Sequence, residues 1–192
     1  QMCIRDSKKI FLNILNKTDV LVENFKPGTL EKWGLGWKDL CDKFPKLIYA
    51  SASGFGQTGP LKELPAYDMV VQGMGGLMSV TGHPQTEPTR VGTSIGDITA
   101  ALFTTIGINS ALYDREKTGK GMFIDVSMLD CQIAILENAI ARYLSKNEIP
   151  QPMGSRHPSI APFEAFKTKD SYIIIAAGND KLFEKLCNAL NM

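Results

Sequence analysis

Histidine is nearly missing from this chain: only His83 and His157 occur, beside four cysteines, Cys3, Cys41, Cys131 and Cys187. The cysteines lie far apart and form no C-x-x-C pair, so a Cys/His zinc site lacks both ligands and spacing. His83 sits in a Gly-His-Pro turn and His157 in a proline- and serine-containing stretch, so both read as loop residues and a Ser–His or Cys–His nucleophile has no support. Cys131 and Cys187 fall in apolar helical contexts and read as small core residues. The cysteine set suits a reducing cytosol, and the protein is expected to be cytoplasmic. Charge of one sign is also missing: 21 Lys and Arg stand against 20 Asp and Glu, a net +1, which gives no reason to expect nucleic acid or an acidic membrane surface as partner. No signal peptide is visible, and no uninterrupted apolar run reaches the roughly 18 residues of a bilayer span. The longest, around residues 98 to 108, is cut by Thr104, Thr105 and Gly107. G-x-x-x-x-G-K-[ST] does not occur, which removes P-loop nucleotidases.

What is there alternates. Residues 8 to 17 carry Ile10, Phe11, Ile14 and Leu15 at helical spacing, followed by the buried-strand pattern "DVLVEN". A loop and short helix ("FKPGTLEKWGLG") lead to a helical turn at 37 to 44 and a second strand, "KLIYASAS". Then come the glycine loop "GFGQTGP", a glycine-rich helix over "YDMVVQGMGGLMSVTG", a long helix over 97 to 115 ending near Gly119, the strand "MFIDVSM", and a helix over 128 to 146. Helices alternating with apolar strands predict a parallel α/β sheet, and loops at the carboxyl ends of its strands are where ligands bind. Residues 147 to 161 read as a linker, and "FEAFKTKDSYIIIAA" as a β-hairpin turning at Lys169–Ser171 before a helix at 180 to 190. The organisation expected is a large domain over 8–146, a linker, and the start of a smaller α/β domain over 162–192. Residues 1 to 7 show no periodicity and are expected to be non-native or unstructured, and the whole chain to be an internal fragment of a longer protein.

With histidine excluded, chemistry falls to carboxylates and backbone amides. Asp97, Asp68, Glu23 and Asp125 are the acids in apolar surroundings. Glu23 ends a strand and Asp125 alternates within one, so both read as structural. Asp97 stands alone in "VGTSIGDITAALFTTIGI", where two readings compete: a helix N-cap, or a carboxylate held at a helix mouth for chemistry. The loop Gly54-Phe55-Gly56-Gln57-Thr58-Gly59 approaches G-x-G-x-x-G but lacks the later acidic residue of a dinucleotide fold.

Six consecutive blocks, "DVLVENFKPGTLEKWGLG", "YASASGFGQTGP", "AYDMVVQGMGGLMSVTG", "SIGDITAAL", "REKTGKGMFIDVSMLD" and "AFKTKDSYIIIAAGND", resemble the class III CoA-transferases, the group of formyl-CoA and carnitine CoA-transferases and α-methylacyl-CoA racemase. The resemblance runs in order from about residue 18 to 190. It implies a three-layer, Rossmann-like large domain, a smaller α/β domain and an interlocked homodimer. It also implies Asp97 as a nucleophile that forms an aspartyl anhydride and then an aspartyl-CoA thioester. Covalent catalysis of this kind splits one acyl exchange into easier steps, and amides near Gly96 could hold the oxyanion. CoA contacts are implied at Asn24, Phe25, Lys26, Lys32, Ala66, Tyr67 and Asp68, and a substrate loop at Gly178 and Asn179. Lys32 stands where the family usually has Arg, keeping the charge without the bidentate fork, and Pro65 stands where some members have Lys. The substrates implied are an acyl-CoA thioester and a small carboxylic acid, with no prosthetic group, metal, nucleic acid or membrane.

Within the group, the racemase needs a histidine where this chain has Tyr67, and a glutamate where it has Asn179. A phenol titrates near 10, poorly matched to proton abstraction at neutral pH. Both departures favour the transferase. The alternatives are a racemase-like enzyme and a catalytically silent acyl-CoA-binding protein of the same fold.

Overall fold

Short apolar strands separated by helices assemble as expected. In the computed structural model, which describes residues 2–192 and their side chains from Asp6 onward, β1 (Val20–Glu23), β2 (Ile48–Ser53) and β3 (Phe123–Ser127) form a parallel sheet in the order β1-β2-β3. Central β2 has Ile48, Tyr49 and Ala50 fully buried, as a parallel strand covered on both faces should be. Alternation along it separates two cores. Tyr49 joins Leu15, Leu30, Leu35, Leu40 and Leu47, with the Trp37 ring stacked on Phe123 at 6.0 Å. That core is supplied by α1 (Met2–Leu15), α2 (Thr29–Lys32) and α3 (Trp37–Leu40). On the other face Ala52, Ile124 and Val126 meet Val71, Ala100, Met128 and Cys131. These come from α4 (Asp68–Met74), α6 (Ile95–Thr118) and α7 (Met128–Ala134). Burial pushes the Cys131 thiol up to about 11, with Asp130 adding to the effect, as befits a core cysteine.

Several boundaries depart from the sequence reading. The first helix begins at Met2, so residues 2 to 7, expected to be unstructured, form its opening turns; Gln1 lies outside the described residues. The glycine-rich helix is two: α4 stops at Gly75, and α5 (Leu77–Val80) starts after Gly76, whose φ of 84° breaks the helical path. The helix expected over 128 to 146 is also two, α7 and α8 (Asn138–Lys146), parted at Glu137 with φ 45°. Helix α6 is longer than expected, and its 24 residues are long and apolar enough to cross a membrane by length and composition. Its threonines do not interrupt it, because Thr104 and Thr105 donate their hydroxyls to the carbonyls of Ala100 and Ala101 at 2.7 and 2.8 Å. One face of α6 lies on the sheet, with Gly107 directly over Ile124, and it ends as expected at Gly119, φ 71°.

The hairpin forms as expected: β4 (Phe163–Lys167) pairs antiparallel with β5 (Tyr172–Ala176), and the Thr168 N–H donates to Ser171 O at 2.9 Å across the turn. Helix α9 (Asp180–Ala189) follows. The stretch expected as a linker is tied down in part. The Gly154 N–H donates to Gly82 O at 2.8 Å, and His157 Nδ1 accepts the N–H groups of Ser159 and Ile160 at 3.2 and 3.1 Å.

Candidate active site

Helices in a parallel α/β fold run back against the strands, so the first turn of α6 lies at the carboxyl edge of the sheet. The turn is fixed in an indirect way. Ser94 occupies the N-cap but makes no side-chain cap bond. The orphan N–H of Gly96 is instead accepted by Asp68 Oδ1, from the first residue of α4, at 2.8 Å. Asp97 is the third residue of the helix, so the N-cap reading of it falls. Its side chain is exposed, and among the described residues no hydrogen bond or ion pair engages it.

Asp68 is itself held. Gln72, one helical turn on and fully buried, donates Nε2 to Asp68 Oδ2 at 2.8 Å and accepts the Val91 N–H on Oε1 at 2.9 Å. The Arg90 guanidinium stands 3.9 Å from the same carboxylate. Thus the loop entering α6, the start of α4 and the nucleophile candidate form one bonded unit. Gly96 permits it: a Cβ there would lie 2.7 Å from Val71 Cγ2 and 3.0 Å from Asp68 Oδ1. Asp68, expected among the CoA contacts, has its carboxylate occupied in positioning this helix. Gln72 escaped the sequence reading, although its i+4 spacing from Asp68 in an apolar helix was the available signal.

Tyr67 is the N-cap of α4, makes no cap bond and is 81% exposed. Ala66 lies directly against Gly54, joining the glycine loop to the same unit. Asn24, Phe25 and Lys26 follow β1 and are exposed. The Phe25 ring meets Trp33 edge-on at 5.8 Å, and Lys26 O accepts the Thr29 N–H that opens α2, whose last residue is Lys32. Two exposed lysines therefore flank an exposed aromatic pair, a surface able to take phosphates and a flat ring.

Gly178 and Asn179 do not join this assembly. Asn179 caps α9, its side-chain oxygen accepting the Leu182 N–H at 3.0 Å, and no hydrogen bond among the described residues links either to Gly96 or Asp97. A polar cleft of about 590 Å³, lined by Lys17, Asp19, Lys46 and Arg115, lies at the other end of α6 and is separate from this chemistry. No group of three or more His, Cys, Asp or Glu able to hold a metal occurs among the described residues.

The family model for CoA-transferase family III matches residues 4–192. The chain belongs to that family. The acetyl-CoA:oxalate CoA-transferase of Acetobacter aceti is 48% identical over 184 residues, covering 95% of this chain and 47% of that protein. The succinate–glutarate CoA-transferase of Agrobacterium fabrum is 41% identical over 179 residues, covering 93% and 45%. Among solved structures, a CaiB/BaiF family protein from Brucella suis superposes with a TM-score of 0.86 at 42% identity, covering 98% of this chain and 50% of that one. This family III chain therefore spans about half the length of the relatives it matches, and the half it spans holds the α4–α6 junction with Asp97.

Proposed function

We propose that the full-length protein is an acyl-CoA:carboxylate CoA-transferase with Asp97 as its nucleophile. The carboxylate adds to the thioester carbonyl, the C–S bond breaks, and CoA leaves as thiolate, giving a mixed aspartyl anhydride. The thiolate then adds to the aspartyl carbonyl and expels the donor acid as its carboxylate, leaving an aspartyl-CoA thioester. The acceptor carboxylate attacks that thioester and releases the thiolate again. Attack of the thiolate on the acceptor carbonyl of the second anhydride frees the new acyl-CoA and restores Asp97. Every proton and charge closes over the cycle without a redox step.

The observation that carries this reading is the unengaged carboxylate of Asp97, on a helix turn held from behind through Gly96, Asp68 and Gln72. A residue serving the fold would be spent on a partner; this one is fixed in place and free at its tip. Acyl-CoA is assigned to Asn24, Phe25, Lys26 and Lys32, with Ala66 and Tyr67 nearer the thioester, and the protein is assigned to the cytoplasm as a homodimer. The names of the two relatives support a free dicarboxylate as acceptor.

The test incubates the full-length protein with a 2-methylacyl-CoA and a free dicarboxylate in deuterated water, then adds hydroxylamine. CoA transfer without deuterium at the α-carbon, and a hydroxamate on Asp97, are expected. Deuterium uptake without transfer would establish a racemase, and binding without transfer, uptake or adduct a silent binder.

A further inference from the structure

One row of polar residues crosses the parallel sheet at its carboxyl edge. Glu23 on β1 is paired with Ser51 on β2, and Ser51 with Asp125 on β3. Residues in register on neighbouring strands project from the same face, and further back that face carries Tyr49 and Phe123 in the core. Three polar side chains therefore stand side by side just where the apolar core ends.

Gln57, from the glycine loop after β2, lies across the row. Its Nε2 donates to Ser51 Oγ at 2.7 Å, and its backbone N–H donates to the two Asp125 carboxylate oxygens at 3.0 Å each. The Ser51 hydroxyl donates in turn to Glu23 Oε1, and Glu23 Oε2 accepts the Phe25 N–H at 2.8 Å. Gly56 allows the crossing: it has φ 78°, and a Cβ there would sit 3.4 Å from Asp125 Oδ1. The bonded path starts in the 24–26 loop, crosses β1 and β2 to Gln57 in the 54–59 loop, and ends on Asp125 of β3.

Strand pairing does not account for this path, since the ladder between the strands is made by backbone groups. Buried Ser51 needs a partner for its hydroxyl, yet one bond would satisfy it. What the extra bonds achieve is to make each loop's position depend on the other, because a polar network is satisfied only when all its members are in place.

We propose that Glu23, Ser51, Gln57 and Asp125 form a clamp that holds the Asn24–Lys26 loop and the Gly54–Gly59 loop as one unit, so that acyl-CoA binding at the first depends on the second. The four are positioning residues. The inference rests on assigning Asn24–Lys26 to acyl-CoA, and its test separates the two.

In the full-length protein, Gln57→Ala, Glu23→Ala, their combination and, as a control, Lys26→Ala are compared by steady-state kinetics and thermal melting. Gln57→Ala and Glu23→Ala should each raise KM for the acyl-CoA about tenfold, the size of a lost network hydrogen bond, with kcat within about twofold. The double variant should fall well short of the hundredfold expected of independent sites, and Glu23→Gln, which keeps an acceptor, should stay within about threefold of wild type. Should Glu23→Ala not fold, Ser51→Ala replaces it in the cycle with the same expectations. A multiplicative double variant overturns the clamp. So does an unchanged KM in Gln57→Ala when Lys26→Ala raises it, and so does a fall in kcat and melting temperature with KM unmoved. An unchanged KM in Lys26→Ala overturns the assignment of the loop itself.

Discussion

The strands β2 and β5 are both short and apolar, yet they end in opposite surroundings. Ile48 and Tyr49 of β2 are fully buried, while Ile173 and Ile174 of β5 are 52% and 76% exposed. The difference lies in what the chain supplies around each. Strand β2 has helices on both faces, contributed by segments before and after it, whereas β5 has one hairpin partner and α9, whose Leu182 and Phe183 are themselves exposed. A functional residue can be held to atomic precision only by a packed surrounding. The Asp68–Gly96 junction has that surrounding in Val71 and Ala100, and Gly178 and Asn179 do not. Within the half of its relatives' length that this chain spans, the residues around Asp97 are the candidate site residues with a packed surrounding.

The sharpest way to break the comparison is to remove the exposed carboxylate that the packed region leaves unengaged. Asp97→Ala in the full-length protein should lower acyl exchange by more than a hundredfold while leaving CoA binding within about threefold, since a covalent nucleophile has no substitute. Measuring turnover together with CoA affinity checks it. Retention of more than about a hundredth of wild-type turnover would mean that the packed junction serves the fold alone.

A smaller effect probes the junction rather than the nucleophile. Gly96→Ala places a methyl group against Val71 and Asp68, so Asp68 must back away or α6 must shift. The expected outcome is a stability loss of about 1–3 kcal/mol, the range for overpacking, with kcat down roughly tenfold and KM for the acyl-CoA little changed. Urea unfolding and steady-state kinetics on the same variant separate the two effects. Loss of stability with kcat intact would show that Asp97 is placed without help from Asp68.

Much of the parallel sheet was legible because apolar runs and helical spacing repeat along "DVLVEN", "KLIYASAS" and "MFIDVSM", and Gly119 marked its helix end by its own conformational freedom. Breaks inside periodic stretches were not legible. Apolar spacing continues through Gly75 and Gly76 and through Glu137, and nothing in a glutamate announces a φ of 45°. The site divides in the same way. Asp97 is marked by its isolation, but the bond from its neighbour Gly96 to Asp68 joins residues 28 positions apart, and the row Glu23–Ser51–Asp125 exists only once three strands are in register. Local pattern carries no trace of either. The role proposed for Asp97 comes from the resemblance to a known family, while the packing shows what holds its helix turn.

The hairpin side of the comparison gives a prediction smaller again. Asn179→Ala removes the α9 cap and should cost about 1 kcal/mol of stability, with turnover changed less than twofold, read by unfolding and by kcat in the full-length protein. A large fall in kcat without loss of stability would restore Asn179 to a substrate loop and show that the exposed region is ordered around the site after all.

The least effect expected comes from Asp125, at the boundary between core and solvent. Desolvation raises its carboxyl above the ordinary value of 3.8, Gln57's N–H opposes this, and Asp130 adds to it. A carboxylate raised on folding contributes stability that is fully present below the unfolded value and is lost as pH rises through the folded one. Wild-type protein should therefore lose stability relative to Asp125→Asn as pH climbs from about 4. The asparagine does not titrate and still offers one oxygen to the Gln57 N–H. The difference should stay below about 1 kcal/mol, because the side chain is exposed and solvent screens it, and should be flat once the carboxyl is fully ionised. Urea unfolding of both proteins at several pH values measures it. A difference of the opposite sign, with wild type gaining on the variant as pH rises, would show that the paired bonds from Gln57 outweigh burial and that this end of the row belongs energetically to the packed region rather than to its edge.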